Sequence, residues 1–169
     1  MPQLTTLRGG LQVQATPSGD YTGQVRADLD PWAERWPDGT AASQADQFFD
    51  DLRTLAGGAS EVLDLRSVTS GPGGSGVPVA FVEVRAICIE VASSSAAGVS
   101  MAPAAADGWT ALLAAAGDAL QVQPGARVVF GCPADGSYPT SPTSKDLQFS
   151  SLSLTLSATY RVTIVGTSA

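Results

Sequence analysis

Histidine is absent from the chain. That removes His-based triads, HExxH zinc sites, imidazole general bases and Cys–His nucleophile pairs. Cysteine is scarce: there are two, Cys88 and Cys132, with no C-x-x-C spacing, so no metal site is expected. Both lie in apolar, strand-like runs and read as buried thiols acting as small hydrophobes. A disulfide between them would need a close Cα approach that the sequence does not show. Charge is scarce too, at 15% of residues against a norm of about 25%. The nine basic residues are scattered and the net charge is −7. Nucleic-acid binding needs clustered Lys and Arg, so neither DNA nor RNA is an expected partner. An acidic surface also argues against anionic membranes. No apolar run reaches the roughly 18 residues of a membrane span. Met1–Leu7 lacks a basic region followed by an apolar stretch, so no secretory leader is expected. A protein made in a cytoplasm is the simplest expectation.

What fills the chain is Gly (18), Pro (11), Ser, Thr and Ala, the composition of short strands joined by turns. Its 169 residues suit one domain, residues 1–169, whose core needs no metal or disulfide. Leu11 to Ala15 alternates strictly, Pro17-Ser18-Gly19-Asp20 is a turn, and Tyr21 to Asp28 returns, which predicts an N-terminal hairpin over 11–28. Loop 30–46, with Trp32 and Trp36, reads as an ordered loop pinned by aromatic anchors. Hairpin and loop together would form an arm or an interface. Gln47 to Leu55 is compatible with helix or strand. Glu61 to Val68 reads as a strand, and Gly71 to Gly76 as a flexible loop. That loop lacks the Lys-Ser/Thr ending of a phosphate-binding P-loop.

Val79 to Ala92 is the most apolar strand, with Phe81, Ile87 and Ile89 on one face and Val82, Val84 and Cys88 on the other. A strand apolar on both faces is covered on both sides, and a partner subunit would supply the second cover. Phe81, Val82 and Val84 thus join Trp32, Trp36 and Trp109 as candidate interface residues. The tryptophans also read as core anchors or as a sugar-binding platform. Ala104 to Ala116 has helical propensity, interrupted by Gly108 and Trp109. Leu120–Val122, Arg127–Cys132 and Leu147–Phe149 read as strands. From Leu152 to Ile164, apolar residues fall on one face and Ser, Thr and Arg on the other. That predicts one long terminal strand whose buried face is worth about 10–15 kcal/mol. These elements together predict an all-β, antiparallel sandwich or jelly-roll-like domain.

The remaining chemistry is carboxylate. Asp46, Asp50 and Asp51 cluster, and Asp28 lies near Asp30. Such spacings read first as solvated faces, with calcium ligation or acid–base catalysis as rarer alternatives. No catalytic, cofactor-binding or metal residue is assigned.

Three stretches carry a family likeness. The first is Asp38-Gly-Thr-Ala-Ala-Ser-Gln-Ala-Asp-Gln-Phe-Phe-Asp-Asp-Leu-Arg-Thr-Leu55. The second is Gly58-Ala-Ser-Glu-Val-Leu-Asp-Leu65 with Phe81-Val-Glu-Val-Arg-Ala-Ile87. The third is Val122-Gln-Pro-Gly-Ala126 with Ala158-Thr-Tyr-Arg-Val-Thr-Ile-Val-Gly166. The chain resembles small virion-associated structural proteins of tailed bacteriophages, over roughly residues 5–168. The resemblance implies no enzymatic motif. It implies a virion component made in the bacterial cytoplasm, foremost a capsid decoration protein. Such proteins commonly sit as homotrimers on the shell of the major capsid protein. A head-fibre, tail-associated or receptor-binding role is the alternative.

Overall fold

The computed structural model describes residues 5–9, 12–15, 25–28, 32–69, 78–115, 117–132 and 136–169. The described residues contain no helix, and so none long and apolar enough to cross a membrane. Four short strands come first: β1 (Thr5–Gly9), β2 (Gln12–Ala15), β3 (Val25–Asp28) and β4 (Trp32–Trp36). They pair antiparallel among themselves, with Thr5 opposite Trp36 and Gln12 opposite Asp28. The turn predicted at 17–20 and the loop at 71–76 lie outside the described residues. Within the aromatic loop predicted at 30–46, Trp32–Trp36 is a strand, because that stretch finds a ladder partner in Thr5–Gly9.

The body is a sandwich of two antiparallel sheets. One runs β12 (Arg127–Gly131), β9 (Glu83–Val91), β15 (Ala158–Thr167), β5 (Gln47–Leu55). The other runs β11 (Leu120–Val122), β10 (Val99–Pro103), β14 (Asp146–Ser151), β6 (Ser60–Asp64). Two short pieces, β7 (Val68–Thr69) and β8 (Pro78–Val79), pair with each other, and β13 (Tyr138–Pro139) adds to β9. The two orders correspond strand for strand. β5 continues into β6, β9 into β10, β11 into β12 and β14 into β15, so four connections arch between the sheets at one end.

Alternation builds the core. Phe49 and Leu55 of β5, Tyr160, Val162 and Ile164 of β15, and Ile87, Ile89 and Val91 of β9 meet Leu63, Leu147, Phe149, Val99, Met101 and Val122 from the other sheet. Fully burying a side chain of this size is worth about 1.5–3 kcal/mol. Phe149 and Tyr160 stack with ring centroids 5.0 Å apart. Gln47–Leu55, open to either reading in sequence, is a strand because nine of its residues pair with β15.

Three predicted elements differ from the structure. The stretch 104–116 is not helical, because tertiary bonds take its backbone. Ala104 N–H and Trp109 N–H both donate to Asp146 O (3.0 and 2.9 Å), while Trp109 is fully buried. The terminal strand begins at Ala158, not Leu152. Ser153 Oγ accepts the N–H groups of Thr155 and Leu156 (3.3 and 3.1 Å). That side-chain turn takes donors a ladder would need, and leaves Leu154 87% exposed. The strand predicted over Glu61–Val68 turns after Asp64, whose Oδ1 accepts Arg66 N–H at 2.8 Å.

The fourth difference concerns Val79–Ala92. Val165 lies opposite Ala86 but Gly166 lies opposite Val84, so Arg85 is the extra residue of a β-bulge. The bulge inverts parity: Val84 faces the core together with Ile87, Ile89 and Val91. Ala86 instead joins Trp36, Ala45 and Val165 in a second small cluster. The strand's two apolar faces are thus both covered, at this end, by the chain itself. A Cβ on Gly166 would lie 2.1 Å from Glu83 O, so the close approach here depends on glycine.

Candidate interaction surface

Four of the six interface residues proposed from sequence lie inside the molecule. Phe81, Val84 and Trp109 are wholly buried and Trp36 nearly so. Trp109 meets Tyr138 edge-on at 6.1 Å and donates its indole N–H to Pro139 O (2.8 Å). Trp36 fills the space beside Ala45, Ala86 and Val165, with no partner for its indole N–H among the described residues. These are packing anchors, so neither ring is open to a sugar or a partner. Val82 is half-buried, and the side chain of Trp32 lies outside the described residues.

The carboxylate clusters separate. Asp50 faces outward, where it accepts Arg161 Nη1 (2.8 Å) and Thr163 Oγ1 (2.7 Å). Asp51 faces the space between the sheets and pairs with Arg53 Nε at 3.1 Å. Arg53 Nη1 reaches across to Glu61 Oε2 and Tyr160 O–H to Glu61 Oε1, each at 2.6 Å. Asp46 accepts Ser168 N–H and Oγ–H. Adjacent positions on a strand point to opposite faces, so Asp50 and Asp51 cannot share a substrate. No group of three or more potential metal ligands occurs among the described residues.

Burial, assisted by the Glu61 carboxylate, pushes the Tyr160 phenol far above its ordinary range. Burial also raises the thiols of Cys88 and Cys132. Both cysteines are free, Cys132 buried and Cys88 half-buried, so the two-buried-thiol reading holds fully for one and partly for the other.

The outward face of the β12-β9-β15-β5 sheet is a polar lattice. Arg161 lies opposite both Leu52 and Glu90, and Arg127 opposite Glu90.

The arched end is different. None of the nine basic and sixteen acidic residues falls within 54–60, 91–100, 119–126 or 147–160, the segments that make the four arches. The arches are bonded to one another as well as within themselves. Gly58 N–H donates to Ser153 O (2.8 Å), Ser151 N–H to Ala59 O (3.1 Å), and Leu152 N–H to Gly98 O (3.0 Å). Ala97 N–H donates to Ser157 O (3.1 Å), Gly125 N–H to Val91 O (3.0 Å), and Thr159 N–H to Ser95 Oγ (2.8 Å). Glycine permits this contact: a Cβ on Gly57 would lie 2.4 Å from the Thr155 carbonyl carbon, and one on Gly98 2.5 Å from Val122 O. From this braced platform Leu154 and Leu156 project, 87% and 50% exposed.

No sequence signal marked this site directly. The leucines read as core because they alternate with Ser and Thr, and the charge-free segments are far apart in the chain until the arches assemble. In class, the chain is an antiparallel β-sandwich whose four arches, at one end, are cross-bonded and free of charged residues. No protein-family model matches it, and no curated protein matches it.

Proposed function

We propose that this chain is a structural component of a tailed-phage virion, a capsid decoration protein that attaches to the outer surface of the major-capsid shell. The observation that carries the reading is the arched end: a hydrogen-bonded, charge-free platform displaying two leucines. Interface centres are depleted of charge and rich in large apolar anchors, and a loop this tightly braced would lose little entropy on docking. The resemblance to virion-associated proteins supplies the kind of assembly.

The strand order supports a finer reading, that the sandwich is a jelly roll. Leaving aside β13, which adds to β9, the eight main strands form two rows of four in which each strand faces its neighbour in sequence across the sandwich, an architecture that also serves viral capsid domains. That support is analogy at the level of fold. The fibre or receptor-binding alternative draws on the loop tryptophans, of which Trp36 is buried, and on the Ser/Thr-rich loop 137–144.

Mass spectrometry of purified particles tests the proposal. A decoration protein is present in hundreds of copies, and the double substitution Leu154→Asp/Leu156→Asp should strip it from the shell while leaving it folded. A copy number of a few, or full occupancy by the double variant, would sink it.

A further inference from the structure

β5 is the outermost strand of its sheet, and among the described residues nothing pairs with its far edge. The ladder fixes which backbone groups point there. Ala92 N–H donates to Thr159 O, and Val91 N–H to Ala126 O on the opposite side. Odd residues of β15 therefore face β9 and even residues face β5. The partners of those even residues are Phe49, Asp51, Arg53 and Leu55. Hence Phe48, Asp50, Leu52 and Thr54 direct their N–H and C=O groups to the open edge. Their side chains are on the outward face, where Phe48 is 43% and Leu52 60% exposed.

An edge of this length needs a guard against mispairing, and charge is the usual one. Here charge favours one self-pairing, the one that sets Asp51 against Arg53, and opposes the registers beside it. We propose that β5 pairs antiparallel with β5 of a second copy of this chain, with Leu52 opposite Leu52 on a two-fold axis. In that register Asp51 stands opposite the second copy's Arg53, Phe49 opposite its Leu55, and Asp50 opposite its Thr54. The inward face then alternates apolar pairs with ion pairs, and the exposed leucines cover each other. Moving the centre to Asp51 sets Asp51 against Asp51. Moving it to Arg53 sets Arg53 against Arg53, and moving it to Asp50 sets Asp50 against Asp50. Like charges directly opposite destabilise a strand pair, and opposite charges stabilise it.

The parity is compatible, as it is for every register that keeps side chains on their own face. Antiparallel ladders alternate hydrogen-bonded and non-bonded pairs. Pairing Leu52 with Leu52 and Asp50 with Thr54 uses the even residues whose backbone groups face the edge. The two-fold axis is perpendicular to the sheet, so the arched ends of the two copies point in opposite directions. Self-pairing therefore uses a different surface from shell attachment and does not depend on it.

The test is the solution mass of the purified full chain, by light scattering and sedimentation over a concentration series. We expect a dimer. Leu52→Lys should weaken it at least tenfold, about what loss of a central interface residue costs. Leu52→Pro should do the same while keeping the fold, because the N–H it removes faces the open edge rather than β15. Mild oxidation of Leu52→Cys should link two chains, since paired Cα atoms in such a ladder lie about 5.5 Å apart. Thr54→Cys, which faces position 50 of the second copy, should not link. A monomer, a trimer, a dimer indifferent to Leu52→Lys, or Thr54→Cys linking as readily as Leu52→Cys would each overturn the proposal. Shell occupancy by the Leu52 variants is read separately, so loss of pairing and loss of attachment are distinguishable.

Discussion

Tyr160 shows how one side chain ties the two sheets together. Its ring stacks on Phe149 of the facing sheet, and its hydroxyl donates to Glu61, which also receives Arg53. Ionising that phenol would bury an anion beside a carboxylate, so the folded state holds the proton well above the unfolded value of 10.0. An acid whose folded pKa is raised contributes stability that is fully present below its unfolded pKa and is lost as pH rises beyond it. Stability should therefore fall as pH rises above about 10, the unfolded tyrosine range. Tyr160→Phe should cost about 1–2 kcal/mol at neutral pH and should flatten that alkaline slope. Urea titrations of both proteins across the alkaline range give the comparison, and an unchanged slope in the variant would contradict this account. Arg85 plays a similar tying role at the bulge. Its guanidinium is 3% exposed, donates to Gly136 O at 2.7 Å and to Gln44 O at 3.3 Å, and pairs with Glu83 at 2.8 Å.

At the scale of the element, the β14–β15 arch separates what braces a loop from what it displays. Ser153→Ala removes the acceptor for two backbone N–H groups and should cost about 1 kcal/mol. Leu154→Ser touches a side chain that is 87% exposed and should change stability by less than about 0.5 kcal/mol. Thermal unfolding of the two variants checks the order; a larger loss from Leu154→Ser would show that the leucine is packed.

The same arch marks the limit of reading alternation from sequence. A period of two identified most of β15 and a run apolar on both faces identified β9, but Gln47–Leu55 stays open to helix or strand and Val99–Pro103 does not read as a strand. The alternation overran at Leu152–Ser157, where serine hydroxyls capture backbone donors and no ladder forms. It also misjudged the far face of Val79–Ala92, since one inserted residue at Arg85 exchanges inside for outside and nothing local in the sequence marks a bulge. The tryptophans were legible as anchors, but their burial was not, because Trp36 depends on Ala45, Ala86 and Val165, up to 129 positions away along the chain. The arched end was least legible. It is defined by what four distant segments lack, and only the arrangement of the sheets brings those absences together.

For the whole molecule, charge is distributed by place. The chain carries −7, yet the four arch segments carry no charged residue, and the acidic and basic groups among the described side chains lie on the sheet faces, along the β5 edge and toward the far loops. Two ways of attaching to a shell therefore respond differently to salt. Docking through acidic flanks onto a basic patch would be driven by attraction between exposed charges, which salt screens beyond roughly 10 Å at 0.1 M. Docking through the arches would draw on apolar contact around Leu154 and Leu156 and on neutral hydrogen bonds, neither of which such screening removes. Affinity for emptied shells should accordingly change less than about twofold between low and moderately high salt, since exposed charge pairs contribute little across such a surface. Binding isotherms on shells stripped of the protein supply the measurement. A steep loss of affinity with salt would move the contact to the charged flanks and leave the arched end without a role in attachment.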